Sequence, residues 1–266
     1  MDQVTASDLN KKVQGYWEGD NGYGPCGTDK NIVQDIPLHS KEWFQAVEKH
    51  RYEAEPYIHS FAQFTLHKGK KLLEIGVGAG TDHLQWARAG TITYGVDLTS
   101  AAINTAAKHL AHHGFTSDLQ QADAEKLPFN DDFFDIVYSW GVIHHSEDPD
   151  KIVKEVNRVL NRENGQFIGM FYHRPSLVTL RLWIGRGLLK GKPFRSFKNI
   201  LYHEMESIGT KGYTMKELRS MFLHNGFKNI EIEPILTIYD TPFIPHWVTR
   251  FIPQRFGWFL VIKAFK

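Results

Sequence analysis

An α/β fold on a doubly wound, mostly parallel sheet is what this sequence predicts, on three observations. Short apolar runs alternate with helical spacings between residues 70 and 172, as in successive βαβ units. The first of those runs ends in Gly76, Gly78 and Gly80, where a strand would hand over to a helix. The chain has 266 residues, 42% of them hydrophobic and 23% charged, which suits one substantial core with additions rather than several independent ones.

Residues 1–37 are rich in Gly, Asn and Asp and read as an irregular arm, whose Tyr16, Trp17 and Tyr23 need a surface to cover. Ser40 caps a helix to about residue 49, and Glu55-Pro56 opens another with Tyr57, Phe61 and Phe64 on one face. The sheet begins at 70–75, an apolar run bounded by charge and then glycine, as a buried parallel strand is. A helix over 81–89 follows, then a β-rich stretch over 91–96, an Ala-rich helix over 100–111 and a third strand ahead of residue 122. Next come a strand over 135–139, a helix over 149–160 with Ile152, Val156 and Val159 on one face, and a strand over 165–172.

From Arg174 to His203 there are seven Lys or Arg residues and no acid, interleaved with Leu177, Leu180, Ile184 and Leu188 at helical spacing. Thr214 with Glu217 three residues on predicts a capped helix to about residue 225. Strands over 230–238 and 258–265 close the chain, joined through Pro242, Pro245 and Pro253. The expected organisation is therefore an arm and cover over 1–66, a core over 67–173, a basic lid over 174–213, and a closing helix with two strands over 214–266.

Thirty-one basic side chains balance thirty acidic ones, so no overall field draws the protein to nucleic acid. Cys26 stands alone, the start is polar, and the most apolar stretch, 177–189, is broken by Arg181 and Arg186. It is shorter than the roughly 20 residues a spanning helix needs, so no membrane span and a cytoplasmic location are expected. Fourteen scattered histidines without zinc-like spacing predict no required metal.

The chemistry begins at Glu74-Ile75-Gly76-Val77-Gly78-Ala79-Gly80. Glycines there allow a sharp turn and close approach of a ligand. In a dinucleotide fingerprint the third glycine would fall on Thr81; here it comes one residue early, and Glu74 precedes the loop. A carboxylate suits a ligand with an ammonium group better than one with a pyrophosphate, which favours S-adenosylmethionine over NAD. Asp97, followed by Leu98, lies roughly 20 residues beyond the loop, where an acid can accept both ribose hydroxyls; its other role is to cap the next helix.

With Ala122-Asp123-Ala124-Glu125 after the third strand, residues 70–172 resemble the class I methyltransferase superfamily, especially the branch with ubiquinone and menaquinone methyltransferases. The resemblance implies its Rossmann-like sheet of seven strands with an antiparallel edge, and S-adenosylmethionine as cofactor. It implies that Asp123 bonds the adenine amino group and the Ala124 amide a ring nitrogen. It also implies that the Ser139-Trp140-Gly141 backbone lies beside the methionine moiety, and that His145 matches the family's histidine before an acid. Arg51 and Tyr52 match leading helices that bind the methionine carboxylate. Enzymes acting on amines of DNA bases have Asn or Asp, two prolines and an aromatic where this chain has Ser139-Trp140-Gly141-Val142, which argues against such a substrate.

Methyl transfer needs an acceptor close to the methyl carbon and, for a protonated acceptor, a base titrating near neutrality. His144 and His145 offer one, with His144 the better placed to face an acceptor; as packing residues they would only wall the pocket. Tyr172 joins them, with Trp17, Tyr23, Tyr52, Tyr57, Trp140 and Tyr202 as further wall candidates and Glu204, Glu206, Thr210 and Tyr213 as a polar cluster. The expected reaction is transfer to a small or lipid-like acceptor, an anionic one included. The basic segment 174–203 is either a lid or a strip for an anionic membrane. A noncatalytic S-adenosylmethionine-binding module and an NAD-dependent dehydrogenase are the alternatives.

Overall fold

In the computed structural model, residues 8–20, 31–242 and 246–266 are described; the expectations for Tyr23, Cys26 and Pro245 lie outside them. Leu72 and Leu73 are both fully buried although neighbours in a strand point to opposite faces, so β1 (Lys71–Ile75) is covered on both sides. The chain runs outward through α4 (Thr81–Arg88), β2 (Ile92–Asp97), α5 (Ser100–His112) and β3 (Asp118–Gln121). It then returns to β4 (Ile136–Trp140) on the other flank of β1 and continues through α6 (Pro149–Val159) to β5 (Gln166–Tyr172). After α7 (Leu177–Arg186), α8 (Phe197–Glu204) and α9 (Met215–His224), β6 (Lys228–Ile235) and β7 (Phe259–Phe265) complete a seven-stranded sheet of order β3-β2-β1-β4-β5-β7-β6. The first five strands pair in parallel, and β7 runs antiparallel to β5 and β6. Strand order reverses between β1 and β4, which opens a crevice beyond their carboxyl ends.

The sheet's two faces carry separate apolar layers. Leu73, Ile75, Val137 and Phe167 meet Val156 of α6 and Phe222 of α9. Leu72, Ile136, Tyr138 and Ile168 meet Trp86 of α4 and Ile58 of α3 (Tyr57–Ala62). Helix starts follow their caps: Thr99 accepts from the Ala102 amide, and Asp148 from Lys151 ahead of Pro149 at the first turn. Thr214 and Glu217 make the reciprocal capping box. Gly80 has φ 74°, and a Cβ there would stand 2.9 Å from the Ala106 Cα, so its bareness sets how closely α4 approaches α5.

Several boundaries differ from expectation. The arm is not irregular throughout: α1 (Asp8–Gly15) precedes a wide helical turn over Tyr16–Asp20. Only Asn10 and Val13 of α1 are buried, too few to leave an apolar period in the sequence. The first cover helix, α2 (Lys41–Ala54), runs past residue 49, while Gln63 at φ 53° breaks α3 before Phe64. β6 ends at Ile235, because Asp240 accepts from the Thr237 amide and closes a turn. The basic segment is not one strip but α7 and α8 packed together. Arg174 pairs with Glu217 and Arg195 with Glu204, so acids beyond the segment neutralise part of its charge.

Candidate functional site

A cavity of about 720 Å³ fills the crevice between the β1 and β4 tips. The glycine turn gives it a bare wall: Gly78 lines it at φ 52°, with nothing among the described residues within 4 Å of where a Cβ would stand. Gly76 lines it too, at φ 81°. Gly80 is not among the lining residues; it packs on α5.

Three carboxyl groups from three strand tips face this one space. Glu74 is the penultimate residue of β1, Asp97 ends β2 and Asp123 follows β3; Leu98 and Ala124 line the cavity beside them. Asp97 accepts from the Gly78 amide at 3.2 Å with one oxygen and from the Thr99 amide and hydroxyl at 2.9 and 2.8 Å with the other. It thus braces the glycine turn, and Thr99 rather than Asp97 caps α5. Burial pushes its carboxyl upward while those hydrogen bonds oppose the shift. Asp123 accepts from the Glu125 amide at 2.9 Å and, unforeseen in the sequence, from the Asn10 side chain at 3.0 Å.

The cover helices supply a charged plug. Arg51 donates to Asp82 at 2.7 Å and to Glu55 at 3.1 Å, and the hydroxyls of Tyr52 and Tyr138 also donate to Asp82. Arg51 lines the cavity; Tyr52 does not. Glu55, the first residue of a Glu-Pro pair, accepts from Trp140 Nε1 at 2.6 Å, so one carboxyl ties the cover to the end of β4. Asn10 and Asp82 were missed because these partners lie 30 to 137 residues away, beyond the reach of local periodicity; Glu55 has Arg51 one turn back, but its tie to Trp140 spans 85 residues.

Of the remaining expected residues, Trp140, Gly141, His145 and Tyr172 line the cavity. Ser139 does not; its hydroxyl donates to the Ile75 carbonyl at 3.1 Å and ties β4 to β1. The order of the two histidines is the reverse of that expected. His144 is fully buried, 3.9 Å ring to ring from Tyr172, with no hydrogen-bond partner for either nitrogen among the described residues. His145 Nδ1 instead lies 2.9 Å from the Ser207 hydroxyl and 3.0 Å from that of Thr210. Its Nε2 looks toward Glu206, 3.7 Å away. Burial, reinforced by Lys211, holds the His145 imidazole neutral, pushed down to about 3.

Glu206 accepts from the Tyr172 hydroxyl at 2.9 Å and leaves 39% of its side chain open to the cavity. Surrounding protein raises its carboxyl above the ordinary range, with Glu55 adding to the shift. Tyr172 stacks on Trp258 at 4.2 Å, and Phe259 and Met170 extend that apolar wall. Val178, Arg181 and Leu182 of α7 reach the same end of the cavity. Tyr57 and Tyr202 are not among its lining residues; Glu204 pairs with Arg195, and Tyr213 packs on Phe171.

Residues 73–168 match the methyltransferase domain family. Over 106 residues the chain is 36% identical to an uncharacterized methyltransferase, YcgJ, of Bacillus subtilis (strain 168), covering 40% of this chain and 42% of that one. Over 105 residues it is 30% identical to a ubiquinone biosynthesis O-methyltransferase of Haemophilus ducreyi, covering 38% and 44%. These matches span less than half the length of those relatives. Magnesium protoporphyrin IX methyltransferase from Synechocystis PCC 6803, solved with bound SAH, superposes with a TM-score of 0.59 at 16% identity, over 97% of this chain and 100% of that one. That likeness extends the shared fold across nearly the whole chain.

Proposed function

From the methyltransferase domain over residues 73–168, we propose that the protein transfers a methyl group from S-adenosylmethionine to a small acceptor. The observation that carries this reading is a single cavity in which Glu74, Asp97 and Asp123 converge on a bare glycine turn and which continues to Tyr172 and Glu206. In this reading Glu74 meets the cofactor's ammonium, Asp97 its ribose, and Asp123 with the Ala124 amide its adenine. The Trp140-Gly141 backbone runs alongside the methionine chain. When bound, the cofactor supplies an electrophilic methyl group on a sulfonium.

The protein's own contribution is mainly placement, which accounts for about 7–11 kcal/mol in well-oriented reactions. Trp258, Phe259 and Met170 exclude water and hold an apolar acceptor against the cofactor end. Glu206 takes the acceptor's proton, and Tyr172 holds the carboxyl in position. His145, anchored at Nδ1 by Ser207 and Thr210, orients it from the other side.

The lid belongs to the same proposal. Phe194 is 100% exposed, Leu189 75%, and both stand among Arg186, Lys190 and Lys192, a combination that suits a lipid-like acceptor drawn from an anionic surface in the cytoplasm. No helix among the described residues is long and apolar enough to cross a membrane.

Calorimetry with S-adenosylhomocysteine tests the cofactor, and labelled S-adenosylmethionine with a cell extract tests the reaction. Absence of binding rejects the reading. Binding without transfer to any extract component leaves a noncatalytic module in its place, and sedimentation with anionic but not neutral vesicles is the outcome expected for the lid.

A further inference from the structure

Glu74 has a buried partner that the reaction does not use. His83 of α4 places Nδ1 2.9 Å from Glu74 Oε2, and both side chains are buried. On the far side of the ring, Nε2 lies 2.9 Å from the Ser117 hydroxyl, which donates to the Thr93 carbonyl at 2.7 Å. A hydroxyl has one proton to give. That of Ser117 goes to Thr93, so its oxygen accepts and His83 must carry its proton on Nε2.

Only two arrangements remain at Nδ1. A neutral imidazole accepts from a protonated Glu74, or an imidazolium donates to a carboxylate. In both, the pair holds one exchangeable proton between its facing atoms and no net charge. The slot is built for the ring: a Cβ at Gly95 of β2 would stand 3.1 Å from His83 Cε1 and 2.5 Å from Val77 Cγ1.

The groups around the pair decide where the proton rests. Burial raises the Glu74 carboxyl, Asp82 of α4 and Asp97 of β2 add to the rise, and Arg51 of α2 opposes it. The Tyr138 hydroxyl of β4 is engaged with Asp82. Burial also lowers His83, to about 4. Both shifts favour the proton on Glu74 until a cation stands beside that carboxyl.

Building on the cofactor reading above, we infer that His83 is a positioning residue that takes the Glu74 proton when an ammonium group reaches that carboxyl. The proton crosses from Oε2 to Nδ1, the carboxylate forms beside the incoming cation, and nothing is exchanged with solvent.

Nitrogen NMR of histidine-labelled protein reads this directly and needs no variant. The empty protein should show a neutral His83 protonated at Nε2, and saturation with S-adenosylhomocysteine should protonate both ring nitrogens. Calorimetry in phosphate and in Tris should find no net proton change for the wild type and release of about one proton for His83→Leu. Affinity of that variant for S-adenosylhomocysteine should fall about tenfold per pH unit on acidification. 5′-Methylthioadenosine, which lacks the ammonium, should bind both proteins alike. An Nδ1-protonated neutral ring in the empty protein, equal proton counts, or equal losses for both ligands would overturn the inference. A wild type that binds S-adenosylhomocysteine with an unchanged neutral ring overturns it alone, whereas a wild type that binds neither ligand brings down the cofactor reading as well.

Discussion

Asn10 Nδ2 donates to Asp123 Oδ2 at 3.0 Å, so the first described helix lands on the carboxylate assigned to an adenine amino group. The same side chain accepts from the Glu147 amide, and Glu18 further along the arm accepts from the Ser100 amide. The arm thus straps the nucleoside end of the cavity. A side-chain amide and an exocyclic amine are donors of one kind and compete for one oxygen. A hydrogen bond to a charged partner contributes about 1.5–3 kcal/mol. Asn10→Ala should therefore speed association of S-adenosylhomocysteine by up to about 10- to 100-fold in stopped-flow tryptophan fluorescence. An unchanged or slower rate would mean that the contact does not stand in the ligand's way.

Asp97→Ala removes a group that braces the glycine turn as well as facing the ribose position. Hydrogen bonds to a charged partner are worth about 1.5–3 kcal/mol, so affinity for S-adenosylhomocysteine should fall about 10- to 100-fold by calorimetry. Asp97→Asn keeps one acceptor oxygen for either Gly78 or Thr99 and should lose less. Equal affinity for wild type and the alanine variant would remove Asp97 from the site.

How much of this was legible follows from distance along the chain. The glycine turn, the acids at the strand tips and the Thr214–Glu217 box sit within local patterns of a few residues, and sequence alone located them. The alternation of parallel strands and helices was legible for the same reason, since each element carries its own pattern, whereas the antiparallel edge came only through the resemblance to class I methyltransferases, because no local pattern gives the direction of β7. The His144 and His145 order was not, because both rings occupy one short helical turn and only the packing of Tyr172 and Ser207 decides which faces the cavity. Nor were Glu55 or Asn10, whose partners arrive from distant segments. How much of the Arg174 to His203 charge is paired was not legible either, because counting charges within a segment ignores Glu204 and Glu217 just outside it.

Glu206→Gln tests the acceptor end. A positioned base contributes 10²- to 10⁴-fold, so turnover with an acceptor from the labelled screen should drop by about that much while affinity for S-adenosylhomocysteine holds. The carboxyl acts as a base only when ionised, and its folded value lies above the ordinary one. Wild-type turnover should therefore fall as pH drops through that raised value, and Glu206→Gln should lack this acid limb. An identical limb in both would assign the titration to another group.

Acid sensitivity of the fold should be traceable to His109, away from the proposed chemistry. Its Nδ1 donates to the Ala79 carbonyl at 2.9 Å, its ring stacks on Phe44 at 4.2 Å, and its buried Nε2 has no hydrogen-bond partner among the described residues. A proton added at Nε2 would be a buried charge without an acceptor, and burial accordingly lowers this imidazole from 6.5 to about 4. Between those values the unfolded chain binds the proton and the folded one does not. The stabilising contribution is thus complete above about pH 6.5 and shrinks as pH falls toward 4, by up to about 1.4 kcal/mol per pH unit. His109→Gln keeps a donor for Ala79 and cannot titrate. In urea unfolding between about pH 7.5 and pH 5, the wild type should lose about 2 kcal/mol more than this variant, and parallel losses in the two proteins would show that the proton binds elsewhere.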